Sequence, residues 1–131
     1  LVADLQAAPP DAERLAGAVD EVAASDHHAS GSVAVDAESI ELGPRSVSLR
    51  GPGGTAHATF DYGPVTPVKP GSDLERVLGG QPPERVFDTP AAFADALGRA
   101  TETETGWQSI ESRVRIRRVR YEEVDGVLVG V

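Results

Sequence analysis

A chain of 131 residues, 40% of them hydrophobic, is long enough for one ordinary core and too short for two independent domains of typical size. It carries 21 Asp and Glu against 12 basic residues, a net charge of −9, and contains neither Cys nor Met. Disulfides, thiolate metal sites, iron–sulfur clusters and thiol nucleophiles are therefore excluded.

Only Lys69 among the basic residues is Lys; the others are Arg. Carboxylates keep a surface hydrated when salt screens ordinary charge repulsion, and a Lys stem exposes more apolar surface per charge, so this balance suits a salt-accumulating cytoplasm. A GC-rich coding sequence is the alternative source of the Arg bias. No apolar run approaches the roughly 18 residues that span a bilayer, and Leu1 to Leu5 lacks the basic and apolar regions of a signal peptide. A cytoplasmic protein with no membrane partner is expected.

From the N-terminus, Pro10 to Ala24 places Leu15, Val19 and Val22 at helical spacing, with Asp11 and Glu13 near the positive end of the helix dipole. A polar break over Ser25 to Gly31 carries His27 and His28. Beyond it the period changes to alternation: Val33 and Val35, Ile40 and Leu42, Val47 and Leu49, then Ala56, Ala58, Phe60 and Tyr62. Turn signals at Asp36 to Ser39, Gly43-Pro44-Arg45 and Gly51-Pro52-Gly53-Gly54 separate these runs, so they predict four strands in an antiparallel meander.

Prolines interrupt Gly63 to Pro70, which predicts a connector or sheet edge and, over 63–71, a seam if the chain has one. Ser72 with Glu75 predicts a capping box on a short helix, Asp73 to Leu78, ended by Gly79-Gly80, and Pro82-Pro83 reads as a further stop. Thr89 before Pro90 predicts the start of another helix, with Phe93, Ala96, Leu97 and Ala100 as its buried stripe. Ile110 to Glu123 and Val127 to Val131 flank Asp125-Gly126, a strong hairpin signal. Together these elements predict a single α+β domain over residues 1–131: one antiparallel sheet of about six strands, the meander plus the hairpin, covered on one face by about three helices.

The sharpest local feature is the Arg-rich strand. Arg113, Arg115 and Arg117 alternate with Val114 and Ile116, then adjacent Arg117 and Arg118 shift the phase before Val119 and Tyr121, which predicts a β-bulge. Guanidinium groups spaced two residues apart suit an acidic partner or ligand; the alternative is pairing with carboxylates across strands. Nucleic acid is disfavoured by the charge of −9 and is kept as an alternative function using Arg113–Arg120. Trp107, before this strand, is expected to plug the end of the core, or to anchor a partner together with Tyr121 and the arginines.

His57 is expected on the polar side of its strand with Thr55, Thr59 and Asp61. A small-enzyme or ligand-carrier site around His57 and Asp61 is a further alternative. Adjacent His27 and His28 are poorly set up to chelate with His57, the glycine run at 51–54 precedes a strand and not a helix, and Glu102 and Glu104 read as solvated surface. No metal and no cofactor is expected from these residues. The reading that emerges is a non-enzymatic interaction or regulatory module.

Overall fold

The computed structural model describes residues 10–25, 29–62, 64–102, 106–110 and 113–131, so His27, His28 and Glu104 lie outside the described residues. The elements in chain order are α1 (Ala12–Ala24), β1 (Ser30–Ala34), β2 (Ser39–Leu42), β3 (Ser46–Gly51), β4 (Gly54–Thr59), β5 (Thr66–Pro67), α2 (Asp73–Leu78), α3 (Pro83–Val86), α4 (Pro90–Glu102), β6 (Trp107–Ser109), β7 (Arg113–Tyr121) and β8 (Val124–Gly130). The α+β class is as expected; the strands, eight among the described residues, form two four-stranded sheets, ordered β1-β7-β8-β5 and β4-β3-β2-β6.

β2, β3 and β4 make the expected meander, but β1 leaves it and pairs with β7. A short link enforces antiparallel neighbours only within one sheet. Residues 35–38, at about 3.3 Å each, are long enough to cross the roughly 10 Å between stacked sheets, and they do so here. β4 ends at Thr59, and Tyr62 is 58% exposed where alternation had placed it on the core side. The proline-rich stretch supplies a two-residue edge, β5, parallel to β8, and Val65 to Val68 are all buried.

Two hydrophobic clusters lie on opposite faces of the sheet β1-β7-β8-β5. The first joins Leu15, Val19 and Val22 of α1 to Ile40, Leu42, Val47 and Leu49 of the meander and to Val114, Ile116 and Val129. The second joins Leu74, Val77 and Leu78 of α2, Phe93 and Leu97 of α4, Phe87, Val119 and Leu128. β7 therefore serves both. Its pairing with β8 runs unbroken from Arg115↔Gly130 to Tyr121↔Val124, so there is no bulge at Arg117-Arg118. The apolar phase shifts because Val114 and Ile116 face one core while Val119 and Tyr121 face the other.

Helix ends follow local chemistry. The Asp11 carboxylate accepts the Arg14 N–H at 2.9 Å and starts α1, and the Thr89 hydroxyl accepts the Ala92 N–H at 3.1 Å and starts α4. The expected box at α2 is rearranged: the Ser72 hydroxyl donates to the Lys69 carbonyl at 2.7 Å, and Glu75 accepts from the Gly71 N–H at 3.2 Å. Pro83, read as a stop, instead opens the four-residue α3. The hairpin turn is Glu122-Glu123, with Glu122 at φ 54°, and Asp125-Gly126 lies inside β8.

Candidate functional site

The arginines of β7 divide between its two faces. On the side of α2, the Arg113 Nε donates to the Ser32 hydroxyl at 3.0 Å, and the Arg115 guanidinium passes beside Gly79. Arg117 reaches the carbonyls of Val77 and Gln81, so it closes the C-terminus of α2, where unpaired carbonyls and the dipole favour a cation. On the opposite side, Arg118 donates to the carbonyls of Ala23 and Ser25 at the end of α1 and forms an ion pair with Asp125 at 2.8 Å. The exposed Arg120 donates to the Glu122 carbonyl at 2.7 Å across the turn. Two adjacent guanidiniums thus finish two different helices, one on each face of the strand.

Tyr121 is drawn into the second core, its ring 6.3 Å from that of Phe93 and its hydroxyl donating to the Asp88 carbonyl at 3.2 Å. Trp107 neither plugs the core nor joins the Arg strand. It lies on β6, the edge of the other sheet, where its register partner Glu41 places it on the outer face, 37% exposed. Sequence proximity misled here because β6 and β7 belong to different sheets. The Arg50 guanidinium stacks over the indole at 4.2 Å from the ring centroid.

This outer face is a register product. Trp107, Glu41, Ser48 and His57 stand directly opposite one another across β6, β2, β3 and β4, forming one cross-strand row. Ser39, Ser46, Arg50, Thr55 and Thr59 share the face, while Ile40, Leu42, Val47 and Leu49 point into the core. The Ser48 hydroxyl and His57 Nδ1 are hydrogen bonded at 2.8 Å. Beside them a hollow of about 320 Å³ is bounded by Glu41, Ser46, Thr101, Glu102 and Gly106. β3 is paired on both sides, so its backbone N–H groups are committed to the ladders and Ser48 lacks the convergent donors that stabilise an oxyanion.

His57 and Asp61 do share a second, shallow hollow of about 420 Å³, with Glu13 and Asp20. The Asp20 carboxylate there accepts the backbone N–H groups of Asp61 at 3.1 Å and of Tyr62 at 3.1 Å, so it pins the end of β4 to α1. No cluster of three or more His, Asp or Glu side chains suited to a metal ion occurs among the described residues. No helix among them is long and apolar enough to cross a membrane. Arg50, Glu41 and Ser48 carry this face without any motif in the sequence. The single hint is that Ser46, Ser48 and Arg50 occupy the polar phase of one alternating run.

Fold and face together define a small α+β protein built on two sheets, one of which presents a polar surface that no described helix or strand covers, with a stacked Trp–Arg pair. The chain belongs to a family of unknown function, DUF7283, whose model matches residues 1–119. No curated protein and no solved structure is similar enough to match it.

Proposed function

We propose that this chain is a non-enzymatic protein-interaction module whose contact surface is the outer face of β4-β3-β2-β6, with Trp107 as its anchor. The observation that carries the reading is Trp107 itself: a large indole at a sheet edge, 37% exposed and held by Arg50. Trp and Arg dominate interface energetics when a partner desolvates them, and here the pair is preorganised by stacking. The face carries both signs of charge, Arg50 and Glu41, among small hydroxyls, a mixture that suits a polypeptide surface better than a phosphate polymer. The Arg strand supports the nucleic-acid alternative less well, because its guanidiniums split between two faces and Arg117 and Arg118 are engaged with helix-end carbonyls.

A photo-crosslinking residue at position 107 in the native host tests this. It is expected to trap one dominant protein adduct, whereas the same residue at Glu84 on α3 traps none; equal, diffuse labelling from both positions would reject the face as an interface. A second reading, a small-ligand site at Ser48 and His57, is favoured by their 2.8 Å contact beside a hollow. Chemical-shift changes confined to residues 41–48 and 57 on screening small polar compounds would select it instead.

A further inference from the structure

We propose that β1 is a self-association edge, and that two copies of this chain join it antiparallel about a two-fold axis through Ser32, merging their β1-β7-β8-β5 sheets. The other sheet edges are blunted. β5 has two residues and includes Pro67, β6 has three residues, and β4 is flanked by the carboxylates of Glu13, Asp20 and Asp61, which repel a second acidic chain. β1 has none of these devices. Ser30-Gly31-Ser32-Val33-Ala34 is uncharged, lacks Pro, and pairs on one side only, with β7, among the described residues. Such an edge presents a row of backbone donors and acceptors to any strand that reaches it.

The occupant is specified by the surface alongside. A groove of about 660 Å³ runs between β1 and the stripe Arg14, Gly17, Ala18 and Glu21 of α1, residues at i, i+3, i+4 and i+7. The small residues Gly17, Ala18, Ser30 and Gly31 permit close approach. Arg14 and Glu21 are both exposed and stand about 10.5 Å apart, two helical turns. A two-fold axis between them seats Arg14 of each copy against Glu21 of the other, with Ser32 opposite Ser32 and Ser30 opposite Ala34. The Arg14 and Glu21 ends are therefore complementary to each other across the axis, as an isologous interface requires, and with Arg113 the groove carries two cations against one anion in a chain of −9.

Sedimentation equilibrium of the full chain, from micromolar to millimolar at an ionic strength of about 0.15 M, reads the outcome directly. The expected result is a concentration-dependent rise toward twice the 13.7 kDa chain mass, with β1 amides gaining protection from hydrogen exchange over the same range. Arg14→Glu places like charges at both contacts and is expected to weaken the dimer by about tenfold or more. The double exchange Arg14→Glu with Glu21→Arg restores it. A monomer through the millimolar range overturns the proposal, as does a dimer indifferent to Arg14→Glu, one that the double exchange fails to restore, or one whose β1 amides stay unprotected. An edge meant for a strand of another protein gives the first of these results.

Discussion

Gly126 of β8 lies directly beneath Leu97 of α4: a Cβ built at Gly126 would stand 3.0 Å from the Leu97 Cδ1 and 3.3 Å from its Cδ2. The glycine is there for contact and not for turning, since its φ is not positive and the hairpin turns at Glu122-Glu123. Gly126→Val is expected to cost about 1–3 kcal/mol through overpacking against α4. Leu97→Ala opens space at the same point, so the double variant should lose less than the two single losses combined, with a coupling of about 0.5–3 kcal/mol. Urea denaturation of the four proteins decides it; strict additivity would mean that the glycine is needed for its backbone instead.

Glu122 is the only non-glycine residue with positive φ among the described residues, and it occupies the first central position of a two-residue turn, where a type II′ turn takes Gly. A side chain in that region costs about 1 kcal/mol. Glu122→Gly is expected to recover part of it and to raise the denaturation midpoint, because the Arg120 bond is to the Glu122 carbonyl, which the change leaves in place. A lowered midpoint would show that the turn is held by the glutamate side chain.

The side-chain amide of Gln108 is buried, and neither its Nε2 nor its Oε1 has a hydrogen-bond partner among the described residues. Gln108 pairs with Ile40 and so faces the first core from β6. A buried polar group left unpaired costs about 1–3 kcal/mol. Gln108→Leu, close in size, is expected to stabilise the protein by about 1 kcal/mol, read as a higher melting temperature. A loss of stability would indicate that the amide satisfies a bond on opening or in an assembly.

The arginines of β7 are not equivalent. Arg117 and Arg118 each bind carbonyls at a helix end, and Arg118 also pairs with Asp125, whereas Arg113 and Arg120 are exposed, with one bond each among the described residues. Hydrogen bonds involving a charged group are worth about 1.5–3 kcal/mol, and exposed ion pairs about 0–1 kcal/mol. Arg117→Gln and Arg118→Gln are therefore expected to destabilise clearly, and Arg113→Gln and Arg120→Gln to change the midpoint little. Equal effects at all four positions would remove the helix-end role.

The elements were largely legible in the sequence because helical and alternating periods, Asp11, Thr89 and Pro90 act locally. What was not legible is which sheet each strand joins. Ser30–Ala34 alternates too weakly to declare a partner, and Val119 and Tyr121 look like a slip of register when they mark a second core. The outer face was illegible for the same reason: Trp107, Glu41, Ser48 and His57 come from four strands, and only pairing registers align them. Asp125-Gly126 carried the right turn chemistry three residues too late, because the helix packed over β8 demanded the glycine.

The charge balance gives the last prediction. With 21 acidic and 12 basic residues, a compact state at −9 repels itself, and the repulsion is long-ranged at low salt, where the screening length reaches about 30 Å at 0.01 M. At about 1 M it falls to about 3 Å, which removes that cost, while the contacts that hold the fold are short-range: the helix-end bonds of Arg117 and Arg118 and the two apolar clusters. Apolar burial is itself strengthened by salts that are excluded from protein surfaces. The melting temperature is therefore expected to rise from low to molar salt, and more steeply in potassium or sodium chloride than with a neutral osmolyte of equal osmolality. A flat or falling profile would mean that the carboxylates are spaced widely enough to cost nothing, and would leave coding bias as the source of the Arg-over-Lys balance in place of adaptation to salt.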